Sequence, residues 1–177
     1  MRWFWVDRFT EYVAGSHAVG VKGVTLSEEH LHDHWESYPV MPNTLIAEGM
    51  AQTSGLLISE LYEFKELVVL AKFTKLEFNG LVRPGETLTY RAEVGATKEV
   101  GAQATVTATV GDRDQARAEI FFARMQAGAA SAQGLPSRLF DPQDLAHWLQ
   151  ITDVFKVGVH QDGSPMQPGD YGLPVYA

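Results

Sequence analysis

From residue 67 onward, apolar side chains recur at every second position. In 87–94, Leu88, Tyr90, Ala92 and Val94 would share one face of an extended strand. In 102–110, Ala102, Ala104, Val106, Ala108 and Val110 alternate with Gln103, Thr105, Thr107 and Thr109. Residues 67–78, with Val68, Val69 and Leu70, are β-prone by composition, and 115–126 form a last strand. Turn chemistry separates these runs: Arg83-Pro84-Gly85-Glu86, where Gly85 can take positive φ, and Gly111-Asp112. A further strand is expected near 18–25, where Val19 and Val21 alternate with small or polar residues. Period-two patterning with tight turns predicts an antiparallel meander that turns one face to a core.

A different period occupies the segment after Pro42. The run PVMP makes a stiff turn, because each proline fixes its own φ and restricts its predecessor. Asn43 is then expected as the N-cap of a helix over 44–61, about 27 Å long at 1.5 Å per residue. Leu45, Ile46, Ala47, Met50, Ala51, Leu56, Leu57, Ile58 and Leu61 cover most of its circumference. A helix apolar nearly all round must be buried on most sides. Four or five strands achieve that only by curling around it. The expected class is therefore α+β, a curled antiparallel sheet wrapped around one long central helix.

Length and composition narrow the organisation. The chain has 177 residues, 45% hydrophobic and 20% charged, enough for one domain with a real core or one domain plus an appendage. Near 127–136 the composition shifts to Gly, Ala, Ser and Gln, like a linker. A short helix is expected from Asp141, with Pro142 in its first turn and Leu145, Trp148 and Leu149 on one side. The boundary falls at 130: a main domain over 1–130 and a C-terminal extension over 131–177 whose last stretch is turn-rich. Trp148, Phe155 and Tyr171 suggest that the extension packs against something, covering either a ligand tunnel or a dimer edge.

Charge and residue usage exclude several functions. A net charge of −8 argues against general nucleic-acid binding, which needs a basic footprint. No apolar run is long enough to cross a bilayer, and the aromatic N-terminus, broken by Asp7, Arg8 and Glu11, does not read as a signal peptide. The absence of cysteine removes disulfides, thiol nucleophiles and cysteine-bound metals, and is in keeping with a cytoplasmic location.

Two features carry candidate chemistry. Glu48 sits inside the apolar helix, with Gln52 one turn later and Gly55 and Ser59 continuing a narrow polar or small stripe. A carboxylate there is costly unless it is paired, hydrogen-bonded or neutral. Burial of that kind is how a protein makes a carboxylic acid able to release a proton near neutral pH. The alternative is that Glu48 faces solvent through a gap in the sheet. Just upstream, His30, His32 and His34 alternate in a polar stretch expected as a loop or short edge strand. Three readings stand: a solvated loop, a metal site formed by histidines at i and i+2 of a strand with Glu36 nearby, or one histidine acting as general base. The last reading draws on the helix N-terminus, whose uncommitted N–H groups could stabilise an enolate-like oxygen.

The segment DHWESYPVMPNTLIAEGMAQTSGLL resembles the active-site segment of the 3-hydroxyacyl-(acyl-carrier-protein) dehydratases of bacterial fatty-acid synthesis, whose pattern is roughly G-H-F-P-x-x-P-V-M-P-G-x-L-x-x-E-A-M-A-Q. KLEFNGLVRPGETL is similar to that family's F-x-x-P-V-x-P-G-D-x-L. The resemblance spans about residues 1–127. It implies the hot-dog fold and a homodimer with shared active sites, or a trimer of such dimers. His34 and Glu48 become the catalytic pair, drawn from different subunits, with glutamate marking the dehydratase-only branch. Asn43 and Thr44 are implied as thioester-binding, Gln52 as orienting Glu48, and Trp35, Met41, Leu45 and Met50 as candidates for the acyl tunnel. The substrate would be a 3-hydroxyacyl thioester on acyl carrier protein or coenzyme A, with neither metal nor cofactor. An acidic chain needs a local basic patch to meet an acidic carrier, and Lys72, Lys75, Arg83 and Lys98 are the candidates. Asp33, Trp35, Glu36, Asn43 and Leu81 depart from the family pattern. A hot-dog thioesterase, or an acyl-binding subunit without activity, are the competing readings.

Overall fold

The computed structural model describes residues 4–35, 37–132, 134–136 and 138–176. The alternating segments pair as expected. Strands β3 (Leu67–Phe78), β4 (Thr87–Lys98), β5 (Gly101–Val110) and β6 (Arg113–Met125) are antiparallel, with Tyr90 opposite Ala108 and Val106 opposite Ala118. Leu88, Tyr90 and Ala92 are buried, as are Ala104, Val106 and Ala108 on β5 and Ala116, Ala118 and Ile120 on β6. Many of these inward residues are alanines, so the sheet can approach its partner closely.

That partner is helix α2 (Asn43–Glu60), which packs against β2 to β6. Its backbone comes so near the sheet that a Cβ built on Gly49 would lie 2.2 Å from the Tyr90 ring. The helix does not begin as expected. Asn43 is its first residue rather than its cap; Pro42, extended at φ −57° and ψ 133°, occupies the cap position. The Pro42 carbonyl accepts from both Leu45 and Ile46 N–H, so the stiff turn itself closes the first helical turn.

Strand β2 (His17–Gly23) pairs β4, and its other side meets β1 (Arg8–Val13). The alternation rule missed β1 because its register shifts between Phe9 and Glu11. That irregularity buries Phe9 and Tyr12, three positions apart, and hides the period of two. The histidine stretch is also different from expectation. It folds as a short helix, α1 (Glu29–His34), with Leu31 buried. On a helix, i and i+2 point to nearly opposite sides, so the alternating histidines do not converge as a strand would make them. Glu36, the remaining member of that metal reading, lies outside the described residues.

The C-terminal region is less separate than its composition suggests. The linker-like stretch contains helix α3 (Ala127–Ala132). Helix α4 (Pro142–Ile151) begins where expected, with the Asp141 side chain accepting from Gln143 N–H at 2.9 Å. Its Leu145, Trp148 and Leu149 join the same hydrophobic core as α2 and the sheet. Helix α5 (Val154–Val157) leads into β7 (Gly158–Val159), which runs parallel to β1, giving the sheet order β3-β6-β5-β4-β2-β1-β7. Phe9 N–H donates to Thr152 O at 2.7 Å and Ala14 N–H to Val159 O at 2.9 Å. A 3-10 turn at Pro168–Tyr171 then places the Tyr171 hydroxyl 2.9 Å from Glu60, at the end of α2. Gly15 N–H donates to the same carboxylate at 2.8 Å. Burial pushes the Glu60 carboxyl above its ordinary range, against the lowering effect of those two bonds.

Candidate active site

Thr44, Glu48, Gln52, Gly55 and Ser59 follow each other at three- and four-residue spacing and therefore share one face of α2. This stripe is where the curled sheet does not close. It forms the floor of a cavity of about 550 Å³. One bank comes from the β3 side of the sheet, through Leu70, Phe73, Leu76 and Phe122. The other comes from the segment before β1 and from the region of α4, through Phe4, Phe140 and Trp148. A mostly apolar cleft with a few convergent polar groups is the usual form of a small-ligand site.

Glu48 is half-buried on this floor. Gln52 Nε2 donates to Glu48 Oε1 at 2.7 Å, as the i, i+4 spacing implied. Gln52 Oε1 accepts from Trp5 N–H at 2.7 Å. The amide is thereby held at both ends, and Glu48 is tied through it to the segment entering β1. Nothing in the helix pattern pointed to Trp5. Its contribution is a backbone N–H, which every non-proline residue carries, so only the fold could select it. The buried Trp5 ring in turn lies under Lys22, whose Nζ is 4.8 Å from its centroid.

Thr44 also lines the cavity, one turn before Glu48. Asn43 is exposed beside it at the start of α2. The amides of the first helical residues have no acceptor within the helix, and the positive end of its dipole lies here. Thus three expected residues, Thr44, Glu48 and Gln52, meet in one place, with Asn43 adjacent.

His34 is not in this cavity. It is exposed at the end of α1, 6.2 Å from the Trp35 ring, and Trp35 packs edge-on against Tyr38 at 6.3 Å. Arg83 Nη2 donates to the Tyr38 hydroxyl at 2.7 Å. Trp35 is 55% exposed, although large aromatics are usually buried. The other tunnel candidates also sit elsewhere. Met41 and Met50 are fully buried in the core, and Leu45 packs against that core. Their apolar character is used to seat α2 in the sheet; the cavity lining comes instead from Ala47, Ala51 and Leu56 of α2 and from the two banks. Of the basic candidates, Lys72 and Lys75 lie on β3, beside the cavity-lining Leu70, Phe73 and Leu76, whereas Arg83 and Lys98 belong to other parts of the surface.

A curled sheet packed around one long helix, with a hydrogen-bonded carboxylate opening from that helix onto an apolar cavity, defines a hot-dog-fold protein. Solved structures share this fold. The smu.793 protein of Streptococcus mutans, bound to acetyl CoA, superposes with a TM-score of 0.59 at 17% identity, covering 71% of this chain and 93% of that one. The dehydratase heterocomplex ApeI:P of Xenorhabdus doucetiae gives 0.59 at 14% identity, over 73% and 88%. The FabA-like domain model matches residues 4–119, and the chain belongs to the FabA-like family. It is 37% identical over 122 residues to the 3-hydroxyacyl-(acyl-carrier-protein) dehydratase FabZ of Clostridioides difficile strain 630, covering 68% of this chain and 86% of that protein. The FabZ of Thermoanaerobacter sp. strain X514 is 36% identical over 124 residues, covering 70% and 87%.

Proposed function

We propose that this protein dehydrates 3-hydroxyacyl thioesters, borne on acyl carrier protein, to trans-2-enoyl thioesters, and that each site joins Glu48 of one protomer to His34 of the partner subunit. The observation that carries this reading is the separation of the two groups: Glu48 is fixed by Gln52 on the cavity floor, while His34 stands exposed outside the cavity of its own chain. The matched FabZ relatives, named as 3-hydroxyacyl-acyl-carrier-protein dehydratases, support the reaction class.

In the proposed reaction the imidazole takes the proton from C2 of the substrate. The charge passes to the thioester oxygen, where the amides at the start of α2, beside Asn43 and Thr44, stabilise it. The C3–O bond then breaks as protonated Glu48 gives its proton to the departing hydroxyl, so that water leaves and a C2–C3 double bond remains. Gln52 keeps the carboxyl aimed at C3. No electron carrier or metal is needed for this balance.

The sheet edges support a homodimer. One edge ends in β7 and is overlaid by the extension, whereas among the described residues β3 pairs only with β6 and leaves its other side open. Val69, Leu70 and Leu76 are exposed on that strand. A long apolar edge invites pairing with another chain, and a second copy would extend the sheet and cover the cavity. Among the described residues no helix is long and apolar enough to cross a membrane; we place the reaction in the cytoplasm.

The test is turnover of 3-hydroxybutyryl thioesters followed by enoyl absorbance. His34→Ala and Glu48→Gln should each lower kcat about 10²–10⁴-fold, the usual size of an acid–base contribution. Co-expressing the two variants should restore about a quarter of wild-type activity, because half of the dimers then hold one intact site. Full activity in either variant refutes the assignment, and no recovery in the mixture refutes the sharing of sites between subunits.

A further inference from the structure

The matched family domain ends at residue 119, yet Leu139, Phe140 and Trp148 line one bank of the cavity beside Phe4. Phe4 and Trp148 stack with ring centroids 4.4 Å apart, at 15°. Phe140 closes the cluster, 5.3 Å from Trp148 and 6.4 Å from Phe4. All three rings line the same space as Glu48. Phe4 immediately precedes Trp5, whose N–H holds Gln52, so the aromatic bank adjoins the carboxylate machinery through one peptide unit.

This bank is not a loose flap. α4 is buried through Leu145, Trp148 and Leu149. The chain after it is bonded to β1 at Phe9 and Ala14, pairs with it through β7, and is tied to the far end of α2 by Tyr171 and Glu60. A wall anchored at several points sets the shape of a cavity, whereas a mobile one only covers it. Trp148 is 3% exposed and Phe140 is half-buried, so the two differ in what they can be asked to do. Truncating Trp148 would open the core. Truncating Phe140 would chiefly enlarge the cavity.

Resting on the proposed dehydratase reading, we propose that the C-terminal extension is a specificity element: Phe140 and Leu139, backed by Trp148 and Phe4, form an acyl-contacting wall that limits the length of chain the site accepts. Rings packed on one another resist displacement by an alkyl chain, because stacking adds to the burial already gained. A chain longer than the cavity must therefore displace an anchored wall, while a shorter one leaves it unfilled.

The experiment compares short (3-hydroxybutyryl) and long (3-hydroxydecanoyl) thioesters in the full-length protein. Phe140→Ala should raise the long-to-short ratio of kcat/KM about tenfold or more, since a few methylene groups' worth of apolar contact commands that range. Leu139→Trp, which fills the same bank, should shift the ratio the other way. Thermal melts confirm that both variants are folded. A ratio unchanged from wild type in both variants overturns the wall while leaving the dehydratase reading in place. If the wild type turns over none of these thioesters, the dehydratase reading fails by itself, and the wall is tested by binding of butyryl- and decanoyl-CoA. Opposite shifts in the affinity ratio of the two variants then uphold it, and equal ratios overturn it.

Discussion

Two glycines on α2 show how one side chain's surroundings override its intrinsic preference. Glycine in a helix interior costs about 1 kcal/mol relative to alanine, so replacing either should stabilise an isolated helix. At Gly49 the added Cβ would lie 2.2 Å from Tyr90 Cζ, and Tyr90 is fully buried among core residues. Overpacking of that kind costs about 1–3 kcal/mol or more. At Gly55 the closest atom is Phe122 Cε1 at 3.1 Å, and Phe122 borders the cavity, where its ring has room to shift. Gly49→Ala should therefore destabilise the protein by about 2 kcal/mol, while Gly55→Ala should change stability by less than about 1 kcal/mol. Urea denaturation of both variants checks the contrast. Equal effects would show that Tyr90 yields as easily as Phe122. Nothing about these glycines in the linear pattern separates them; both look like small residues on a helix.

At the level of elements, α2 is held differently at its two ends. Its first turn is closed by Pro42 and faces the site. Its last turn carries Glu60, buried, accepting from Gly15 N–H and the Tyr171 hydroxyl, with His160 and Glu63 as the further charges that act on it. Burial raises this carboxyl above its ordinary value of 4.5. The folded state then holds the proton more tightly than the unfolded chain. The group's contribution to stability is complete below 4.5 and is lost as the pH rises through the raised value. Glu60→Gln keeps a side-chain oxygen for Gly15 and an amide that can donate to Tyr171, and it cannot ionise. Relative to this variant, wild type should lose stability as the pH rises above 4.5 and through the raised value, as measured by denaturant midpoints. A constant difference between the two across that range would show that burial does not control Glu60. The pattern of hydrophobicity located α2, β3 to β6 and α4 because each keeps one period for several turns or pairs. It missed β1 and α1, the first because a register shift breaks its alternation, the second because six residues are too few to show a helical period.

For the molecule as a whole, the two borders of the sheet are unequal. The β1 border is covered by α5 and β7, while β3 presents an open strand with Val69, Ala71 and Leu76 exposed. If two copies join there, Val69→Asp with Ala71→Asp should place carboxylates from both strands near one another and oppose pairing, since like charges across a strand pair are destabilising. Neither residue lines the cavity. Sedimentation should show wild type at twice its chain mass and the double variant at the monomer mass. On the proposed shared site, its dehydration rate should fall about 10²-fold or more, because each Glu48 would lose the imidazole of the partner subunit. A fully active monomer would contradict the shared site, and an unchanged dimer would place the interface on another surface.

The local chemistry of the chain was enough to specify a curled sheet around a buried helix, because period and apolar circumference are properties of neighbouring residues. The same is true of the Glu48–Gln52 bond, since positions four apart on a helix must meet. The resemblance to the dehydratase motifs implies His34 and Glu48 as one catalytic pair, but motifs carry no distances. Tertiary structure alone decided that Trp5 N–H braces Gln52, that Met41 and Met50 fill the core instead of the cavity, and that Phe140 and Trp148 come to lie beside a glutamate about a hundred residues earlier. Those contacts join segments far apart in the chain, and no periodicity along one segment encodes which distant surface it will meet.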